Sequence, residues 1–450
     1  MLNPRLWPWW GWATLIILTV LALLLSAGAI VRMQGEGELR RVFADLRSKN
    51  LIYLPAEFAK LAPPVDEDRQ ERAWAQQQRI IKEKWATFSF SNNMSRFSSK
   101  PPLRTDQQLV TDSQVERLAW RNLYTEGSLL LTGFGWMGRD FPHPEQIGIA
   151  KASSLRLANL LGTRALANAL AASAMVAPNP QLELADLDAL VTSLEPGCSL
   201  IDAMILGAVA NIRDLAWLEA TTRGSDPTAW IARPTRVNEA VIMGFSGDRA
   251  WHVGGLYQDY LQGRTFGGVL SSELGGWVGT FLWSAVAPHD LALGFHCEAQ
   301  IEERLRGQPV DMKTLERRLQ TESWLHPISN IMIPNLIESG ITGIQLDVTA
   351  NRLRIAAAIM HNFHHTKQLP SDTAAVRALL PSDLFAANGD RPAIIYSVIA
   401  PKRFRLWTDP STPATDLLPA GRIDAPKPTS AGYSEGKWWL ELDMTQLPTP

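Results

Sequence analysis

Residues 12–31 read WATLIILTVLALLLSAGAIV, twenty positions without a charged side chain. A helix rises about 1.5 Å per residue, so a run of this length covers the roughly 30 Å hydrocarbon core of a bilayer. The stretch before it, Trp7-Pro8-Trp9-Trp10-Gly11-Trp12, supplies amphipathic rings of the kind that sit at a headgroup boundary. Two readings follow. In one the run is a permanent anchor; in the other it is a cleaved signal peptide, since Ala27-Gly28-Ala29 fits a processing site and Arg5 a minimal basic region. The run exceeds the usual signal-peptide core of about 7–15 apolar residues, and a transmembrane helix is the expectation carried forward.

Outward from this stretch the chain is far more polar. Its 450 residues are 46% hydrophobic and 20% charged, enough to bury one large core or two smaller ones. A formal net charge of −2 provides no basic field, so no nucleic-acid partner is expected. Two cysteines, Cys198 and Cys297, allow one disulfide at most and no cysteine-rich metal site.

Periodicity then places helices along most of the chain. Glu36–Asn50 carries Leu39, Val42, Phe43 and Leu46 on one face and either continues the apolar helix or restarts after Gly35-Glu36-Gly37. A short turn at Ala56–Leu61 and a polar helix at Asp66–Trp85 come next. The acidic Asp66-Glu67-Asp68 complements the positive end of the helix dipole. Ser89–Pro102 reads as a loop, and helical patterns return at Thr105–Leu131, Gln146–Val176, Leu184–Leu194, Ser199–Arg223 and Arg236–Gln262, each closed by proline or glycine. Gly267–Ala287, glycine-rich and interrupted by Glu273, reads as a buried helix or hairpin rather than a second span. Near the end, a helix at Asn351–His365 turns Ile355, Ile359, Met360 and Phe363 inward, and Leu369-Pro370-Ser371 closes it and caps a second helix. Strands are expected at Ala393–Val398, Arg403–Trp407 and Lys437–Leu442, with a loop at Asp409–Gly436.

Several motifs imitate active sites, and each fails on chemistry. Gly133-Phe134-Gly135-Trp136-Met137-Gly138 matches a dinucleotide fingerprint, but Pro142 and Pro144 block the helix it needs and no acidic residue follows at the ribose spacing. His296-Cys297-Glu298 resembles the zinc-deaminase H-x-E without the required cysteine pair. Gly244-Phe245-Ser246-Gly247-Asp248 lacks the glycine spacing of a nucleophile elbow, and Ser434 with Lys437 has no partners nearby in sequence. His361 and His365 lie one helical turn apart and could chelate a metal, but with His364 they read better as a solvated cationic face. No catalytic, cofactor-binding or metal-binding residue is therefore assigned, and no cofactor is expected.

A resemblance spans most of the chain. Leu46-Arg47-Ser48-Lys49, Tyr53–Phe58 (YLPAEF) and Ala62-Pro63-Pro64-Val65-Asp66, followed by Phe141-Pro142-His143-Pro144 and Leu155–Ala165, resemble an uncharacterised bacterial family of single-span helical proteins. The region from the histidine-rich helix through Leu369-Pro370 to Leu379-Leu380-Pro381 is similar to that family's end unit, itself like the C-terminal region of type II secretion pseudopilins. The chain has Gln368 where the pattern has glycine, and it lacks the Asp-rich loop, so no calcium site is implied. The resemblance implies a body on the outer face of the cytoplasmic membrane. Charge opposes this: Arg32, Arg40, Arg41, Arg47 and Lys49 follow the span, and the positive-inside rule alone would keep them in the cytoplasm. A large domain can cross regardless of charge, and an extracytoplasmic body is the expectation.

The expected architecture is mainly α: a transmembrane helix (1–33), membrane-proximal helices and loop (34–104), an antiparallel helical array (105–348) and a small α+β unit (349–450). The expected role is an envelope binding or scaffolding component linked to a secretion or pilus-like apparatus. Its partners would be membrane lipid, through the N-terminal helix, and a protein. The rival expectation is a membrane-tethered hydrolase with a site assembled from distant residues.

Overall fold

A computed structural model describes residues 9–61, positions 68 and 75, residues 163–408 with gaps (the longest 264–276, 318–324 and 386–392), and 433–444 apart from 437 and 438. The helices expected at 66–85 (apart from positions 68 and 75, both helical), 105–131 and over most of 146–176, the loop at 89–102 and the glycine motif at 133–138 lie outside the described residues.

The chain is mainly α-helical. The helices are α1 (Trp9–Ser48), α2 (Pro55–Phe58, extended by a 3-10 turn Ala59–Leu61), α3 (Gln181–Leu194), α4 (Leu200–Thr222), α5 (Thr228–Ile231), α6 (Val237–Asp248), a π-turn Arg249–Val253, α7 (Gly254–Leu261), α8 (Trp277–Leu305), α9 (Ser329–Thr366) and α10 (Thr373–Arg377). Four strands follow, β1 (Ile394–Ala400), β2 (Arg403–Thr408), β3 (Tyr433–Gly436) and β4 (Trp439–Asp443), in an antiparallel sheet of order β1-β2-β4-β3. The end of the loop expected at Asp409–Gly436 is thus strand β3.

The first helix does not restart at Gly35-Glu36-Gly37: α1 runs unbroken for 40 residues. One part of it is long and apolar enough to cross a membrane and is left bare by the rest of the chain. Farther on, Gly35, Leu39, Phe43 and Leu46 are buried, and Asn50 in the left-handed region (φ 54°) ends the helix.

The buried portion packs along α8 in parallel register. A Cβ on Gly28 would lie 2.6 Å from Phe281 Cζ, one on Gly35 would lie 2.9 Å from the His289 backbone nitrogen, Phe43 meets Phe295 edge-on at 5.2 Å, and Lys49 pairs with Glu303 at 2.8 Å. Gly28 and Gly35 are seven residues apart, so both glycines face α8 and let the axes approach. His289 locks the pair, with Nε2 donating to the Val31 carbonyl and Nδ1 3.0 Å from Glu38 Oε2. Because Gly28 belongs to the apolar run, α8 begins alongside that run. The described part of the segment expected as a buried helix or hairpin, 277–287, is helical and buries Trp283, Ala285 and Ala287 while Leu282 is 46% exposed; 264–276 lie outside the described residues.

Around this pair α3, α4, α6, α8 and α9 enclose one hydrophobic core. Ser199 caps α4 through a reciprocal box with Asp202, and Gly224 (φ 91°) follows its end. Gly244 lets α6 lie against the start of α4, where a Cβ would be 2.8 Å from Leu200 Cα. Ile355, Ile359, Met360 and Phe363 of α9 are buried as their spacing predicts, but α9 begins at Ser329 and runs straight through position 349. The sheet shares the same core through Tyr396, Phe404, Leu406, Leu440 and Leu442, and the Tyr396 hydroxyl donates to the Pro370 carbonyl at 2.9 Å. Asp372, not Ser371, caps α10.

Candidate functional site

The π-turn between α6 and α7 inserts an extra residue into an otherwise continuous helix, a distortion frequent at functional sites. Its position is set by Gly254, where a Cβ would lie 2.8 Å from the Tyr53 carbonyl oxygen of the segment leaving α1. The wider turn carries both Arg249 and Val253 into the interior.

Arg249 is fully buried. Its guanidinium pairs with Glu302 Oε2 at 2.6 Å and donates through Nε to the Ile52 carbonyl, so one cation joins α8, the π-turn and the segment after α1. Glu302 also takes the Ser246 hydroxyl at 3.0 Å and Arg306 at 2.7 Å. Ser246, the serine of the expected false elbow, is thus a hydrogen-bond donor in an ion-pair network. Asp248 begins the π-turn, accepting from the Leu200 N–H at 3.4 Å and lying 3.6 Å from His252 Nδ1. Burial pushes its carboxyl up to about 6, against the opposing pull of His252 and the Leu200 amide.

One turn before Glu302, Glu298 is fully buried with neither carboxylate oxygen hydrogen-bonded. Burial holds its carboxyl well above the usual range; Asp248 and Glu302 add to this and Arg249 opposes it. Glu298 lies at the wall of a small cavity with room for about 20 Å3, the space of one or two waters, lined by Val253, Leu256, Trp283, Asp290, Leu291, Gly294, Ile328, Ser329, Met332, Ile333 and Leu336. Among the described residues the lining is apolar apart from Asp290, Glu298 and Ser329. Asp290 is already engaged: its two carboxylate oxygens accept from the Ile328 and Ser329 amides at 2.9 Å, capping α9 from a neighbouring helix.

A second polar centre is closed. Arg213 grips Asp214 through Nε and a terminal nitrogen at 2.8 and 2.6 Å, and the Trp230 indole donates to the same oxygen at 3.0 Å. Trp217, stacked on Trp230 at 5.8 Å, reaches Asp188 at 3.3 Å, and Arg354 lies over the Trp230 ring. Such indole-lidded pairs specify how α3, α4, α5 and α9 fit together.

The histidines stay apart from the cavity. His361 and His365 are edge to face at 4.7 Å, and Asp226, which no sequence spacing suggests, lies 3.8 Å from His361. Among the described residues no group of three or more His, Cys, Asp or Glu side chains could hold a metal. His296-Cys297-Glu298 does not assemble a zinc set there; its lasting contribution is Glu298, placed at the cavity wall by α8. Ser434 pairs in β3 opposite Glu441, and Lys437 lies outside the described residues. Among the described residues the lining contains no histidine or cysteine, and the Ser329 hydroxyl donates to the Asp290 carbonyl at 3.0 Å. No known protein family, curated protein or solved structure matches the chain.

Asp248 gives a pH dependence whose sign is fixed. Its folded value of about 6 lies above the 3.8 of a free carboxyl, so the native state holds the proton more tightly. The associated stability is fully present below about pH 4 and is lost as pH rises through 6, by up to roughly 2–3 kcal/mol. Asp248→Asn keeps an acceptor for Leu200 and removes the titration. Denaturant unfolding at pH 4 and pH 7.5 should show the variant gaining on the wild type between the two; a constant difference would contradict the assignment.

Proposed function

We propose that this protein is a single-pass membrane protein of the bacterial cytoplasmic membrane, its body on the outer face, acting as a binding or scaffolding component of the envelope. The observation that supports this most is the continuity of α1. The bare apolar stretch and the buried Gly35, Leu39, Phe43 and Leu46 belong to one helix without a linker. A tether for a diffusing enzyme needs a flexible link, whereas a component that presents a partner at a fixed height above a bilayer needs a stiff one. The side of α7 facing this junction fits the same role: Tyr260 donates to Glu36 at 2.9 Å, and Arg32 lies over the Tyr260 ring at 5.4 Å. This ties the body to α1 just past the apolar run. The pseudopilin-like pattern of the C-terminal region makes a secretion or pilus-like assembly the protein partner of this reading.

Membrane fractionation with a topology reporter tests it. The full-length chain should sediment with membranes and resist carbonate extraction, and alkaline phosphatase fused after Pro450 should be active while a fluorescent protein at the same point is dark. A soluble full-length chain, or a fluorescent and phosphatase-inactive pair of fusions, would overturn it.

A further inference from the structure

We infer that the first turns of α8 are a second membrane contact, set among the acyl chains of the leaflet on the body's side and against α1. The inference rests on the reading of residues 12–31 as a span and adds a lipid-facing surface that belongs to the body. Depth is the first argument. A Cβ on Gly35 would lie 2.9 Å from the His289 backbone nitrogen, so these two positions stand at one height on parallel helices. Seven residues back on each rod come Gly28 and Leu282, and the Phe281 ring, 2.6 Å from a Cβ on Gly28, keeps that register. Gly28 is three residues inside the end of the apolar run. Leu282 therefore lies about 5 Å inside that boundary and the Trp277 end of α8 about 12 Å, within the roughly 15 Å of one leaflet's hydrocarbon.

Composition follows the same level. Residues 277–288 carry no charged side chain, and the first ionisable residue of α8, His289, stands at the height of Gly35, within a helical turn of Arg32, the first charge past the run in α1. Both helices turn polar together, as two rods entering one apolar slab must. Exposure agrees: Leu282 is 46% exposed and Phe281 and Val286 are half-buried, while Trp283, Ala285 and Ala287 pack inward. Around this height α1 leaves Leu24, Leu25 and Ile30 bare, so apolar side chains face outward from both helices where acyl chains would meet them. The contact is a dip and not a crossing. Before it, Tyr260 of α7 is fixed to Glu36 outside the run, and after it α8 climbs to His289, so the chain enters and leaves on one side. This holds whichever side of the membrane the body occupies.

The test reconstitutes the full-length protein in vesicles of phosphatidylethanolamine and phosphatidylglycerol, with the photoreactive p-benzoylphenylalanine replacing Leu282, Ile17 or Ile201 in separate variants. All three positions are exposed, at 46%, 65% and 48%, so the bulky ring meets open space at each. Illumination should join phospholipid to the chain at Ile17 in the apolar run and at Leu282, and leave Ile201 on the body without lipid. Lipid at Ile17 but not at Leu282 overturns the inference and leaves the anchor standing, whereas lipid at neither position overturns both. Equal lipid at Ile201, or a second copy of the chain in place of lipid at Leu282, also overturns it. If the Leu282 variant fails to fold, the wild type decides with a phospholipid that carries a diazirine in its acyl chain: label on peptides from 277–288 supports the contact, and label confined to α1 refutes it.

Discussion

Gly35→Ala should destabilise the full-length protein by roughly 2–3 kcal/mol, while Gly37→Ala, two residues away on the same helix, should stabilise it by about 0.5–1 kcal/mol. The same chemical change has opposite signs because the surroundings differ. A Cβ on Gly35 would sit 2.7 Å from His289 Cδ2, 2.9 Å from the His289 nitrogen and 2.9 Å from Pro288 Cβ, and two of these belong to backbone or a rigid ring. The two helices must then separate, loosening the His289 bonds to Val31 and Glu38 and the aromatic cluster of Phe43, Tyr53, Tyr257 and Phe295 beyond them. Gly37 has nothing within 4 Å, so alanine there removes only the entropic penalty of glycine in a helix. Guanidinium unfolding of the detergent-solubilised variants measures both; two changes of the same sign would mean that α1 does not pack on α8 as described.

Glu302→Leu should cost roughly 3–5 kcal/mol, because it leaves Arg249 charged in the interior without its ion-pair partner. Arg249 is 0% exposed and Glu302 1%, so water cannot replace the lost partner. The double variant Arg249→Met, Glu302→Leu should recover most of that loss, since an apolar pair of similar volume avoids desolvating two ions. A double-mutant cycle followed by circular dichroism reads this directly. A single-variant cost below about 1 kcal/mol would show that the pair is solvated.

The sequence revealed what is local. The apolar run, the capping Ser199 three residues before Asp202, the glycine stop at Gly224 and the alternation Arg403-Phe404-Arg405-Leu406-Trp407 are each determined within a turn or a strand, and the structure places them accordingly. What it hid depends on residues far apart in the chain. Arg249 meets Glu302 across 53 positions and Ile52 across 197, and His289 meets Glu38 across 251. The length of α9 was hidden for a different reason: Pro334, Gly340 and Gly343 in its first half read as helix breaks, although Ile333, Leu336, Ile344 and Val348 keep one buried face through them. The π-turn leaves no clear mark in hydropathy, since four of its five residues are buried and no polar face displays the phase shift that its extra residue causes. Glu298 was visible only inside a failed zinc motif; what distinguishes it is burial without a hydrogen bond to either carboxyl oxygen, and no sequence pattern reports that.

The unbroken α1 has a mechanical consequence on the proposed reading. Its buried end, from Arg32 to Ser48, extends about 25 Å past the apolar run at 1.5 Å per residue. A helix whose apolar length exceeds the local bilayer thickness tilts to hide the excess. With no hinge in between, a tilt of about 10° would swing the Ser48 end by roughly 4 Å and carry the whole body with it. The protein would then act as a lever that converts membrane thickness into the angle at which its surface meets a neighbour.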